Sequence, residues 1–139
     1  MGTAGQSSPA SPHSPPLTPS SPGCGVSERN VAFILPIFGP FFAQPTTRRV
    51  LELASGQGVH VKAFAAAYPA VEFQPTECDE YGVNEVNTTN PSGVQAGVRP
   101  AFILDVLEES SWVNLERDVS ERGVFDVVVG ANFLHMVPW

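Results

Sequence analysis

Arg49-Val-Leu-Glu-Leu-Ala-Ser-Gly-Gln-Gly-Val-His60 is the stretch that decides the fold of this chain. Its apolar run, Val50, Leu51, Leu53 and Ala54, breaks at Ser55-Gly56-Gln57-Gly58, and helical spacing starts at once with Val59. A strand, a glycine corner and a helix are the consequence. Glycine takes φ > 0 without penalty and lets a ligand come close, while the first turn of the following helix presents unpaired N–H groups. Glu52 stands within the strand, four residues ahead of Gly56. A carboxylate there repels phosphate and suits a ligand bearing a cation or hydroxyls.

Downstream of the corner, Val61, Phe64, Ala65 and Tyr68 recur at the spacing of one buried helical face, and Pro69 ends that helix. Val71 to Pro75 reads as a short strand, followed by the polar run Thr76-Glu77-Cys78-Asp79-Glu80. Residues 79 to 89 predict a helix weakened by Gly82, Asn84 and Asn87, closed by Asn90-Pro91-Ser92-Gly93. Ala101 to Leu104 predicts a strand ending at Asp105, and a further helix carries Trp112, Val113 and Leu115 up to Arg122-Gly123. Val124 to Ala131 is a near-continuous β-branched run, the pattern of a strand buried on both faces of a parallel sheet. Short strands alternating with helices imply an α/β fold: a partial Rossmann-like, doubly wound parallel sheet with right-handed crossovers.

Upstream, Ser27 is a candidate N-cap for a short, mostly buried helix carrying Val31, Phe33, Ile34, Leu35, Ile37 and Phe38. Pro36 and Gly39-Pro40 are expected to limit it, because proline lacks the amide donor and clashes with the preceding turn. Residues 1 to 25 hold six Pro and six Ser and no charged side chain. Residues 1–26 therefore read as a disordered tail, and 27–139 as the folded part.

Bulk properties narrow the function. The chain has 139 residues, 42% of them hydrophobic, enough for one modest domain. A net charge of −7 argues against a nucleic-acid footprint, and no apolar run reaches the ~20 residues of a membrane span. Two cysteines, Cys24 and Cys78, make no disulfide framework, so a reducing compartment, cytoplasm or nucleus, is the expectation. No metal is called for.

In parallel sheets ligands bind beyond the carboxyl ends of the strands, where strand order reverses. Each expected strand ends on an informative residue: the corner of Gly56 and Gly58, then Glu77, then Asp105, then Asn132 and His135. Glu77 follows Gly56 by 77 − 56 = 21 residues, close to the ~20-residue offset of an acid that pairs with ribose hydroxyls. A nucleoside-containing small molecule is the leading ligand.

Glu52-Leu-Ala-Ser-Gly56-Gln-Gly58 resembles the first motif of class I S-adenosylmethionine-dependent methyltransferases. Together with Glu28-Arg29-Asn30, Phe73-Gln-Pro-Thr-Glu77-Cys-Asp79, Leu104-Asp105-Val106 with Trp112, and Asn132-Phe-Leu-His135-Met-Val-Pro-Trp139, it is similar to the methyltransferase-like protein 26 group, a domain of unknown function. The resemblance spans about residues 27 to 139. It implies S-adenosylmethionine as cofactor and a strand order of 3-2-1-4. It implies also that Ala54, Gly56 and Gly58 line the cofactor, Glu52 faces its amino group, Glu77 takes the ribose hydroxyls and Asp105 sits by the adenine amino group. Arg29 and Asn30 would close over the cofactor, and Asn132 and His135 would face the methyl acceptor, with His135 as general base.

Plainer roles stand beside these. Glu52 could pair with Arg48 or Arg49, Glu77 and Asp79 could complement a helix dipole, Asp105 could be an ordinary loop acid, and His135 a solvated one. Cys78 and Trp112 read as structural. The family continues for three more strands, so the resemblance implies a chain truncated after its fourth strand, with that strand an exposed edge a protein partner could cover. The acceptor is not legible. A nicotinamide dinucleotide is the competing ligand, disfavoured because Val61 takes the place of the third glycine of Gly-x-Gly-x-x-Gly. A non-catalytic interaction module is the alternative from another class.

Overall fold

β1 (Arg49–Leu53) lies inside a four-stranded sheet of order β3-β2-β1-β4. It pairs in parallel with β2 (Glu72–Glu77), β2 pairs in parallel with β3 (Phe102–Ile103), and β1 pairs in parallel with β4 (Val127–Gly130). The computed structural model describes residues 25–91, 97–131 and 133. Four helices complete it: α1 (Val26–Phe42), α2 (Val59–Ala67), α3 (Glu80–Thr89) and α4 (Trp112–Arg122). The expected tail lies almost wholly outside the described residues.

Given this order, handedness fixes the side of each helix. The chain steps from β1 through α2 to β2 and through α3 to β3, then returns by α4 to the other side of β1. Right-handed crossovers put α2 and α3 on one face and α4 on the other. The reversal falls between β1 and β4, and the crevice beyond their carboxyl ends is the place for a ligand.

The core fills the face under α1 and α2. Val50 sits level with Phe73 and Val127 in the sheet, and Val61, Phe64 and Ala65 of α2 close on them, as their spacing predicts. Phe42, from the end of α1, meets Phe64 and Phe73 with ring centroids 5.1 and 5.3 Å apart. Such tilted and edge-on contacts add to the area these rings bury.

α1 corrects its prediction. It spans 17 residues from Val26, with Gly25 rather than Ser27 at the N-cap, and runs through both Pro36 and Pro40. Both prolines are exposed, so the carbonyls whose donors they remove face water, and a solvated carbonyl costs little. Nor is the helix mostly buried: Phe33, Ile37 and Phe41 are 60%, 63% and 57% exposed.

Two prolines also reshape the sheet. β2 begins one residue later than expected and runs to Glu77, while β3 shrinks to Phe102–Ile103. Pro75 in β2 and Pro100 ahead of β3 offer no ladder donor. The buried Gln74 satisfies the carbonyls of these two prolines, its Nε2 donating to Pro75 O at 3.0 Å and Pro100 O at 2.8 Å. β4 is shorter than its β-branched run and is not covered on both faces: Val129 is 5% exposed, Val128 57% and Val124 70%.

Candidate functional site

The carboxyl ends of all four strands meet at one cleft. Leu53 ends β1 and Ala54 follows it, Glu77 ends β2 and Cys78 follows it, Leu104 to Leu107 follow β3, and Phe133 follows β4. The enclosed space is 80 Å³, below the ~300 Å³ of a pocket that swallows a small ligand whole. Part of a ligand fits inside; the rest must lie across the rim.

Local sequence shapes the rim. Ala54, Gly56 and Gly58 all take positive φ, at 52°, 60° and 72°. For alanine this left-handed conformation costs about 1 kcal/mol, and strain of that kind concentrates where a backbone serves a ligand. The two glycines differ in purpose. A Cβ on Gly56 would meet nothing within 4 Å, so its face of the corner is open. On Gly58 it would strike Asn90 Nδ2 and come within 3.3 Å of Val86 Cγ1. Gly58 thus packs the corner against α3 and does not line the cleft.

Glu77 locks that corner. Its carboxylate is almost buried; Oε1 accepts from Gly56 N at 2.5 Å and Oε2 from Cys78 N at 3.2 Å. Each oxygen retains a further lone pair, and Glu77 lines the cleft. The helix-capping role belongs instead to Asp79, whose Oδ1 accepts from Gly82 N at 2.8 Å. Gly82, read in the sequence as a helix weakener, lets α3 approach: a Cβ there would lie 2.8 Å from Glu77 Cγ.

Asp105 is held by a residue the sequence reading did not single out. Ser111 Oγ accepts from Asp105 N at 2.9 Å and stands 2.8 Å from Asp105 O, while Asp105 Oδ1 accepts from Leu107 N at 2.9 Å. Leu107, 59% exposed, is left as an apolar wall. Cys78, expected to be structural, is exposed and lines the cleft. Desolvation, then the charges of Asp79, Glu77 and Asp105, push its thiol pKa up, so it is a poor nucleophile at neutral pH.

Glu52 lies beneath the corner, on the face it shares with Val50, Val129 and the core. It is 2% exposed and its Oε2 has no hydrogen-bond partner. Desolvation, with the negative charge of Glu77 adding to it and a Ser55 hydrogen bond opposing, pushes its pKa up to about 8. His60 Nδ1 is 4.0 Å from Oε1, but desolvation lowers the imidazole pKa against a backbone hydrogen bond to Ser27, which raises it. At pH 7 the pair is therefore mainly neutral. Arg49 is not the partner of Glu52: it pairs with Glu72 at 3.0 Å and Asp118 at 2.5 Å.

Ala54, Glu77 and Asp105 share the cleft, and Gly56 joins them through Glu77. Glu52 and Gly58 lie below and behind the corner, and Arg29 and Asn30, on α1, are not among the lining residues. Asn132 and His135 fall outside the described residues, although Phe133 between them lines the cleft.

Fold and cleft together define a class: a doubly wound α/β domain with a cleft at the carboxyl edge of a parallel sheet. A family model described as "Protein of unknown function (DUF938)" matches residues 21–139, and the chain belongs to that family. Among solved structures, the chain is similar to EvdMO1 with a TM-score of 0.59 and 22% identity, over 81% of this chain and 24% of that one. It is matched also by an O-methyltransferase family protein from Burkholderia thailandensis (TM-score 0.47, 18% identity, 73% of this chain and 29% of that one). A third match is the S-adenosylmethionine-dependent methyltransferase SibL in its apo form (TM-score 0.49, 22% identity, 83% and 32%). The likeness to EvdMO1 is one of fold, and the chain spans about a quarter to a third of the length of these three proteins.

Proposed function

We propose that this chain is the cofactor-binding part of a class I S-adenosylmethionine-dependent methyltransferase, of the methyltransferase-like protein 26 kind. One observation carries the reading: four strand ends converge on a cleft where the acid that ends β2 is fixed to the glycine corner after β1. In this role Glu77 accepts from ribose hydroxyls through its free lone pairs, and Asp105 accepts from the adenine amino group against the apolar wall of Leu107. Gly56 leaves its open face to the ligand, and Ala54 supports it.

The residues suit the cofactor. A cationic amino group near the corner would compensate the buried, unpartnered Oε2 of Glu52 and favour its ionised form. When bound, the cofactor supplies an electrophilic methyl group on a sulfonium. Arg29 and Asn30 are assigned to covering it from α1, and Asn132 and His135 to the acceptor side, where His135 would take the acceptor proton.

Isothermal titration with S-adenosylmethionine tests the reading. Binding is expected to the native chain and to weaken about tenfold or more in Asp105→Asn and in Glu77→Ala, since each removes a charged acceptor worth ~1.5–3 kcal/mol. No binding to the native chain, or equal affinity in all three, defeats it. An NADH titration separates the competing ligand; Val61, where a dinucleotide site wants a glycine, is fully buried in the core.

A further inference from the structure

A second groove lies between α4 and the sheet, beside β2 and the start of β3. One wall is the chain entering β3, with Arg99 and Phe102; the other is α4, with Asn114, Arg117 and Glu121. We infer that this groove binds an oxyanion, a phosphoryl or carboxylate group, between the guanidiniums of Arg99 and Arg117. The inference is independent of the methyltransferase reading.

Charge distribution carries it. The chain has only seven basic residues against fourteen acidic ones, and three of the seven, Arg99, Arg117 and Arg122, line this one groove. Arg122 is committed, bonded to Glu72 and 3.7 Å from Asp118. Asp118 is also consumed, since Arg49 Nη2 holds it at 2.5 Å. Arg99 and Arg117 have no side-chain hydrogen bond or ion pair with any described residue. They come from different elements, Arg99 from the chain before β3 and Arg117 from α4. Two uncommitted guanidiniums bordering one groove of 240 Å³ are a donor set for a planar or tetrahedral oxyanion, which guanidinium matches with paired N–H donors. Phe102, half-buried in the wall, leaves apolar surface for an organic group that carries the anion. Glu121 is the one acid in the groove without a partner, and it opposes the anion.

The test follows the side-chain Nε–H resonances of the full chain while inorganic phosphate is added at constant ionic strength. Saturable shifts are expected at Arg99 and Arg117, with none at the exposed Arg48 outside the groove. Citrate and adenosine monophosphate arms separate a free ion from a carboxylate and from a nucleotide phosphoryl group. Arg99→Gln/Arg117→Gln is expected to weaken the apparent Kd about tenfold or more, and Glu121→Gln to tighten it. Unsaturating shifts matched by sodium chloride, or equal affinity in the native and double-variant chains, overturn the site. If the double variant does not fold, the native shifts and the sign of the Glu121→Gln effect decide it.

Discussion

Glu52 shows burial and charge in opposition. Its folded pKa of about 8 lies above the ordinary 4.5, so between those values the folded chain holds a proton that the unfolded chain has released. The associated stability is complete below about pH 4.5, declines as pH rises and levels off above about pH 8. Glu52→Gln removes this decline. Urea unfolding at pH 5 and pH 8.5 should therefore show the variant gaining several kcal/mol on the native chain at the higher pH. A difference that does not change with pH would place Glu52 in water. The two corner glycines separate packing from binding. Gly58→Ala meets Asn90 as well as an unfavourable φ and is expected to be the more destabilising; Gly56→Ala meets only the φ term, about 1 kcal/mol, yet should lose more ligand affinity. Thermal melts and ligand titrations of both check this, and equal losses in both measurements would speak against a division of labour. The corner was legible because its chemistry is local. That Glu77 would clamp Gly56 could not be read, since the contact joins residues brought together only by the pairing of β1 with β2.

At the scale of elements, α2 was readable from its period and the parallel α/β class from the alternation of strands and helices, while the sheet order came with the family resemblance. The prolines were not. Whether proline breaks a helix depends on whether its freed carbonyl meets water, which the sequence of α1 does not state. In β2 and ahead of β3, one side chain, Gln74, serves the carbonyls of both prolines, and its removal tests what that link is worth. Gln74→Ala strips the shared donor from Pro75 O and Pro100 O and should cost ~1–3 kcal/mol in urea unfolding. A change under ~0.5 kcal/mol, the range of an ordinary surface substitution, would mean that other donors serve these carbonyls. Asp79→Ala should cost about 1 kcal/mol through loss of the α3 cap, without moving the Glu77 lock.

Across the whole molecule, polar groups divide between the two ends of the sheet. At one end, Arg49 joins the start of β1 to Glu72 of β2, to Asp118 of α4 and, through a guanidinium 4.3 Å from its ring centroid, to Phe125 before β4. Burial opposes that guanidinium, but the bonds to Asp118 and Glu72 hold its pKa above the ordinary value. At the other end, acids from successive strands surround the glycine corner and share few cations. A ligand with hydroxyls, an exocyclic amine and a positive charge complements that end. Amide chemical-shift mapping of the labelled chain with S-adenosylmethionine tests this most directly. Perturbation is expected to cluster at Ala54, Gly56, Cys78, Asp105 and Leu107; shifts confined to α4 and the groove of Arg99, or none at saturating cofactor, would contradict it.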